Sequence, residues 1–144
     1  MDTVMANNND ELLDRRTSRI LHQLGCPVHR IGFRQLCIAI PLFAKGEVSS
    51  VCKELYPLIA RTMGNSDWRA VERSIRCEIL DGWKNGDAEA WERFFPGRRK
   101  APSNKEFICT MAELITSRLD VYADGIPLYK HHREAFFYTP PRIL

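Results

Sequence analysis

The chain has 144 residues, 44% of them apolar and 27% charged, which suits one soluble domain with a sizeable core and is short for two. No apolar run approaches the ~18 residues of a membrane span, and the polar start "MDTVMANNND" is not a secretion signal, so a cytoplasmic protein without membrane attachment is expected. The net charge of +3 permits a polyanionic partner without requiring one, so such a site has to be argued from where the charges lie.

Residues 1–9 are expected to be disordered and residues 10–118 to form the folded domain. The first element is a helix over residues 10–24, "DELLDRRTSRILHQL", with Leu13, Ile20, Leu21 and Leu24 on one stripe and Gly25 and Pro27 as its stop. The next segment, "GFRQLCIAIPLFAKG", is apolar nearly throughout. The alternation of Leu36, Ile38 and Ile40 is compatible with a strand, but helices on both sides favour a buried helix, kinked or ending near Pro41. Pro57 suits the first turn of a short helix running to Met63, because its missing N–H is harmless there.

Gly64 supplies a turn, and Asn65, Ser66 and Asp67 are all candidate N-caps for a helix that ends near residues 85–87. A short helix, a tight glycine-containing turn and a longer second helix are the outline of a helix-turn-helix. "AEAWERFF" reads as another short helix and "PGRRKAP" as a basic loop. Ser103 and Glu106 form a capping box that opens a last helix to about Arg118. The remainder, 119–144, reads as an extended or partly helical tail with a short helix near 128–137. The expected fold is therefore all-α, with about six helices and a helix-turn-helix.

In "WRAVERSIRCEIL", at about 100° per residue, Arg69, Arg73 and Arg76 fall within about 60° of one another. Trp68, Val71, Ile75 and Ile79 lie on a stripe about 120° away, so one side of this helix belongs to a core and the arginines project together. Arginine rows are commonly solvated faces, and Glu72 with Arg76 at i,i+4 gives such a face ordinary helix support. Duplex DNA is the competing reading. The row sits where a recognition helix sits, and the arginine fork matches the O6 and N7 of guanine. Ser66 and the first-turn N–H groups offer a phosphate contact, and Arg98, Arg99 and Lys100 follow in a basic loop.

Other chemistries are set aside. The five cysteines, Cys26, Cys37, Cys52, Cys77 and Cys109, make no C-x-x-C pair and are expected as reduced, mostly buried thiols. His22, Cys26 and His29 are separated by the helix-breaking Gly25 and Pro27, with no fourth ligand nearby, so no metal is expected. His131 and His132 read as surface residues. No phosphate-binding loop, G-x-S-x-G or H-E-x-x-H motif is present, so no enzyme, cofactor or small-molecule substrate is expected. Trp68, Trp83, Trp91, Phe94 and Phe95 are assigned to the core rather than to a stacking platform.

The stretches "LHQLGCPVHRIG", "LYPLIARTMGN", "VERSIR", "DGWKNGD" and "APSNKEFI" together resemble the C-terminal effector domain of the stage-zero sporulation response regulators. These are bacterial transcription factors that start spore formation. The resemblance covers residues 17 to 118, roughly 70% of the chain. It implies six helices, with V-E-R-x-I-R carried into the major groove and copies of the domain lying head to tail on adjacent boxes as a DNA-bound dimer. Carried over by position, Arg73 is the leading guanine reader, Glu72 accepts from a cytosine amino group, and Arg76 contacts bases or phosphate.

The chain departs from the family's pattern in three places. The family's Ser-Arg before Val-Glu-Arg is here Arg69-Ala70, which displaces that arginine by one residue, or about 100°. Cys77 stands where histidine is common. Only about 16 residues precede the first matched helix, so no phosphoryl-accepting receiver is expected. Arg69 and Cys77 complete the expected base-reading set, and Ser66, Lys84, Arg98, Arg99 and Lys100 the phosphate-contacting set. The alternative function is an interaction protein that modulates a full-length relative without specific reading.

Overall fold

The computed structural model describes residues 2–64, 67–117, 122–123 and 126–127. Six α-helices follow one another: α1 (Asp2–Leu24), α2 (Ile31–Ala44), α3 (Tyr56–Thr62), α4 (Trp68–Asn85), α5 (Ala88–Phe94) and α6 (Asn104–Ile115). A single π-turn, Val51–Leu55, leads directly into α3. Tyr122–Ala123 pairs antiparallel with Ile126–Pro127; the rest of the expected tail, including the helix near 128–137, lies outside the described residues.

α1 is assigned from Asp2, eight residues before the expected start of the folded domain. Nothing between residues 2 and 24 breaks a helix, since neither glycine nor proline occurs before Gly25. The expected stripe is buried, with Ile20, Leu21 and Leu24 at 1% exposure or less. Arg16 is also buried, and its Nη1 donates to the Ile115 carbonyl at 2.7 Å, closing the C-terminal end of α6.

α2 runs through Pro41 to Ala44 and does not stop there. A proline costs the helix one backbone hydrogen bond, but Ala39, Ile40 and Pro41 are all buried, so packing on both sides holds the turn. α2 is the central helix and packs against α1, α4 and α6. At its start Gly32 passes so close to α4 that a Cβ there would lie 2.5 Å from the Ser74 carbonyl oxygen. Only glycine permits that approach.

The core closes around aromatic rings. Trp91, Phe95 and Phe107 stand 5.6–5.7 Å apart by centroid, with Trp83 edge-on to Trp91 at 5.4 Å. Trp68 differs from its expected place in the core: it is 36% exposed and lies parallel to Tyr56 at 6.4 Å. It is the first residue of α4, so its face of the helix has run out of core to meet. The cysteines also differ from expectation. Cys26 is buried, Cys37 and Cys109 are half-buried, and Cys52 and Cys77 are exposed; all are free thiols. Among the described residues no helix is long and apolar enough to cross a membrane, and no cluster of ligand-type side chains could hold a metal ion.

Candidate nucleic-acid interface

α3, the turn at Gly64 and α4 form the helix-turn-helix. Pro57 lies in the first turn of α3, and Gly64 adopts φ +76°, a left-handed conformation that lets the chain reverse after a seven-residue helix. α4 is capped by Asp67, whose Oδ1 accepts from the Arg69 N–H at 2.9 Å while its carbonyl accepts from the Ala70 N–H at 3.1 Å. Two first-turn amides expected to face phosphate are thus bonded to an acidic residue. Ser66, the expected phosphate contact beside them, lies outside the described residues.

Val71, Ile75 and Ile79 are fully buried, and Arg69, Arg73 and Cys77 are exposed on the other side of α4. The guanidinium carbon of Arg69 lies 5.4 Å from the Trp68 ring centroid, a cation–π contact that draws it toward the start of the helix. Arg73 borders two surface depressions. One, shared with Cys77, is completed by Arg30, Ile31, Gly32, Ala70 and Ser74. The other is a groove between α4, the π-turn and the start of α6, where Glu72, Arg76 and Leu80 face Lys100, Ser103 and Lys105.

Arg76 does not share the outward attitude of its neighbours. It is half-buried, and its Nη1 donates to the Pro102 carbonyl at 2.7 Å and to Asn104 Oδ1 at 3.4 Å. The wheel places it only about 20° from Arg69, but a long side chain reaches whichever acceptors lie beside its helix, and here they come from the loop before α6. Arg98 is likewise engaged. Its two terminal nitrogens grip both oxygens of Glu106 at 3.1 and 3.2 Å, and this fork holds the Glu106 carboxyl down at about 2. Glu106 also accepts from the Ser103 N–H, completing the expected capping box of α6.

The fork gives Arg98 a carboxylate partner within the fold, whereas Arg99 and Lys100 are exposed. Lys84 is exposed near the far end of α4, eleven residues and so about 16 Å along the axis from Arg73. The structure therefore brings Arg69, Arg73 and Cys77 onto one open face, with Glu72 at the groove edge. It separates Lys84 from them and turns Arg76 and Arg98 toward partners within the fold.

Three contributors carry no periodic signal in the sequence. Arg30, from the loop between α1 and α2, sits beside Arg73 and Cys77 and pairs with Asp81 at 2.8 Å. Tyr56 and Asn104 lie beside α4, where Asn104 also bonds the Glu72 carbonyl, and are joined to each other at 3.0 Å. Residues 17–115 match the family model described as Sporulation initiation factor Spo0A C terminal. That match covers more than half of the sequence and agrees with the six helices and the helix-turn-helix, so the chain belongs to this family of DNA-binding transcription factor domains.

Proposed function

We propose that the chain is a sequence-specific duplex-DNA-binding transcriptional regulator that reads base edges with the first half of α4. The observation that carries this reading is the split surface of that helix: Val71, Ile75 and Ile79 are fully buried and Arg69 and Arg73 are exposed opposite them. Arg73 pairs through its planar fork with guanine O6 and N7, and Glu72 accepts from a cytosine amino group. Arg69 and Cys77 flank them. Arg99 and Lys100 hold the neighbouring phosphates, while Arg98, forked to Glu106, supports the loop that carries them. Copies of the domain bind side by side on adjacent boxes.

Selection from a random duplex library at fixed salt, followed by titration of variants, tests this reading. Arg73→Ala should cost about 1–3 kcal/mol on the selected duplex and relax the preference at one position. Arg99→Ala should weaken all duplexes alike and flatten the salt slope by about one. Equal losses on selected and random DNA for Arg73→Ala would remove the base-reading role.

A further inference from the structure

Asn104 is the first residue of α6, outside the helix-turn-helix, and is 8% exposed. Its side chain makes three hydrogen bonds to the reading unit. Nδ2 donates to the Tyr56 hydroxyl at 3.0 Å and to the Glu72 carbonyl at 3.1 Å, and Oδ1 accepts from Arg76 Nη1 at 3.4 Å. The amide's orientation is fixed by its partners. The Glu72 carbonyl can only accept and the Arg76 guanidinium can only donate, so the nitrogen must face one and the oxygen the other. The Glu72 carbonyl lies inside a helix, where its regular partner is one turn ahead, so the bond from Asn104 is an additional one.

Tyr56 begins α3, and Glu72 and Arg76 lie one turn apart on α4. One side chain therefore touches both helices of the motif and two successive turns of the reading helix. The Pro102 carbonyl, two residues before Asn104, takes the same Arg76 nitrogen at 2.7 Å. We propose that Asn104 is a positioning residue for base reading: by holding the Glu72 carbonyl and Arg76 against Tyr56, it sets the rotation and height of α4 and so the direction in which Arg73 projects. The proposal rests on base reading by α4. It gives Arg76 the work of a brace in place of a base contact.

Rotation is the sensitive variable because Arg73 follows Glu72 directly in the chain. A turn of α4 about its own axis that frees the Glu72 carbonyl carries the Arg73 fork away with it. Phosphate contacts from Arg99 and Lys100 do not depend on that angle, since neither residue lies on α4. Losing the brace should therefore damage discrimination and spare non-specific binding.

The test uses Asn104→Ala and Asn104→Asp. The aspartate keeps an acceptor for Arg76 but donates to neither Tyr56 nor Glu72. Ile115→Val, at the other end of α6, serves as a variant that only destabilises. Affinities for a selected and a random duplex are measured at fixed salt, with amide hydrogen exchange followed over residues 68–76. Asn104→Ala is expected to lower the selected-to-random affinity ratio about tenfold, the loss that accompanies a buried hydrogen-bonding group left unmatched. Random-duplex affinity and salt slope stay near wild type. Arg73→Ala should also cost less in the Asn104→Ala background than alone, because its fork is already misdirected.

Asn104→Asp should fall with Asn104→Ala if the donors to Tyr56 and Glu72 are what matter. Exchange over 68–76 should quicken in both variants and not in Ile115→Val. An unchanged affinity ratio, or a ratio that shifts equally in Ile115→Val, overturns the proposal. If the wild-type chain enriches no duplex at all, base reading fails and the positioning role for reading fails with it. Exchange over 68–76 then shows separately whether Asn104 braces α4.

Discussion

Arg73 and Arg76 are three residues apart on one helix and have opposite attachments: the first borders two open depressions, and the second is bonded to the Pro102 carbonyl and to Asn104. Their removal should separate accordingly. Arg76→Ala leaves the buried Pro102 carbonyl without this donor, which should lower stability by about 1–2 kcal/mol. Arg73→Ala, at an exposed position, should stay within about 0.5 kcal/mol of wild type. Urea midpoints of the two variants, measured without DNA, check this, and a stability loss confined to Arg73→Ala would reverse the assignment. The difference was hidden in the sequence because a helical wheel gives the direction in which a side chain leaves its helix and not where it ends. Arg76 finds its acceptors 26 and 28 residues away, across a loop with no periodic pattern. The Arg98–Glu106 fork is equally illegible in the sequence because Arg98 stands in a loop with no period, whereas the Ser103–Glu106 capping box, a spacing of three, is readable directly.

At the scale of elements, the crossing of α2 over α4 has an unusual composition. Gly32 lets the helices touch, and directly beneath it Glu78 is fully buried, with neither carboxylate oxygen hydrogen-bonded. Burial pushes its carboxyl up to about 7, against the pull of Arg30 and with a further push from Asp81. Cys26 and Cys37 face the same spot, and their thiols are raised to about 12 and about 11, chiefly by burial, so both are neutral there. The folded chain thus holds a proton on Glu78 that the unfolded chain releases from its ordinary value of 4.5 upward. Stability should then fall as pH rises from about 4.5 to 7 and level off above, by an amount on the order of 1–3 kcal/mol. Glu78→Gln, which cannot ionise, should remove that slope and be the more stable protein at pH 8. Chemical denaturation of both proteins across this range measures it; parallel curves would show that Glu78 does not titrate on folding. Glu78 lies seven residues after Val71 and three after Ile75, so periodicity sets it beside the apolar stripe, but nothing in the sequence distinguishes a fully buried carboxylate there from one at the solvated margin of the stripe. The stripe of Leu13, Ile20, Leu21 and Leu24, by contrast, was legible because four apolar residues repeat at helical spacing. The buried helix expected around Pro41 is present and runs three residues beyond it, since the cost of one missing hydrogen bond is outweighed where Ala39, Ile40 and Pro41 are themselves buried.

Across the whole molecule, distant segments are tied through helix ends. Arg16 in α1 closes the end of α6, and the Leu24 carbonyl at the end of α1 accepts both the Asp87 N–H at 3.0 Å and Trp91 Nε1 at 3.0 Å. With a core that draws on all six helices, the domain should unfold in one step, with tryptophan fluorescence and helical circular dichroism changing together. Trp91→Phe keeps the ring in the aromatic cluster and deletes one of the two donors, so it should cost about 1 kcal/mol without splitting the transition. A second transition in either signal would show that α1 and α5 are joined less firmly than these bonds imply. The shared Leu24 carbonyl also has a mechanical consequence. Tension applied at the start of α1 does not have to peel that helix away turn by turn. Its last turn is bonded to Asp87 and Trp91, just beyond the end of α4, so displacing α1 should strain the junction of α4 and α5 as well.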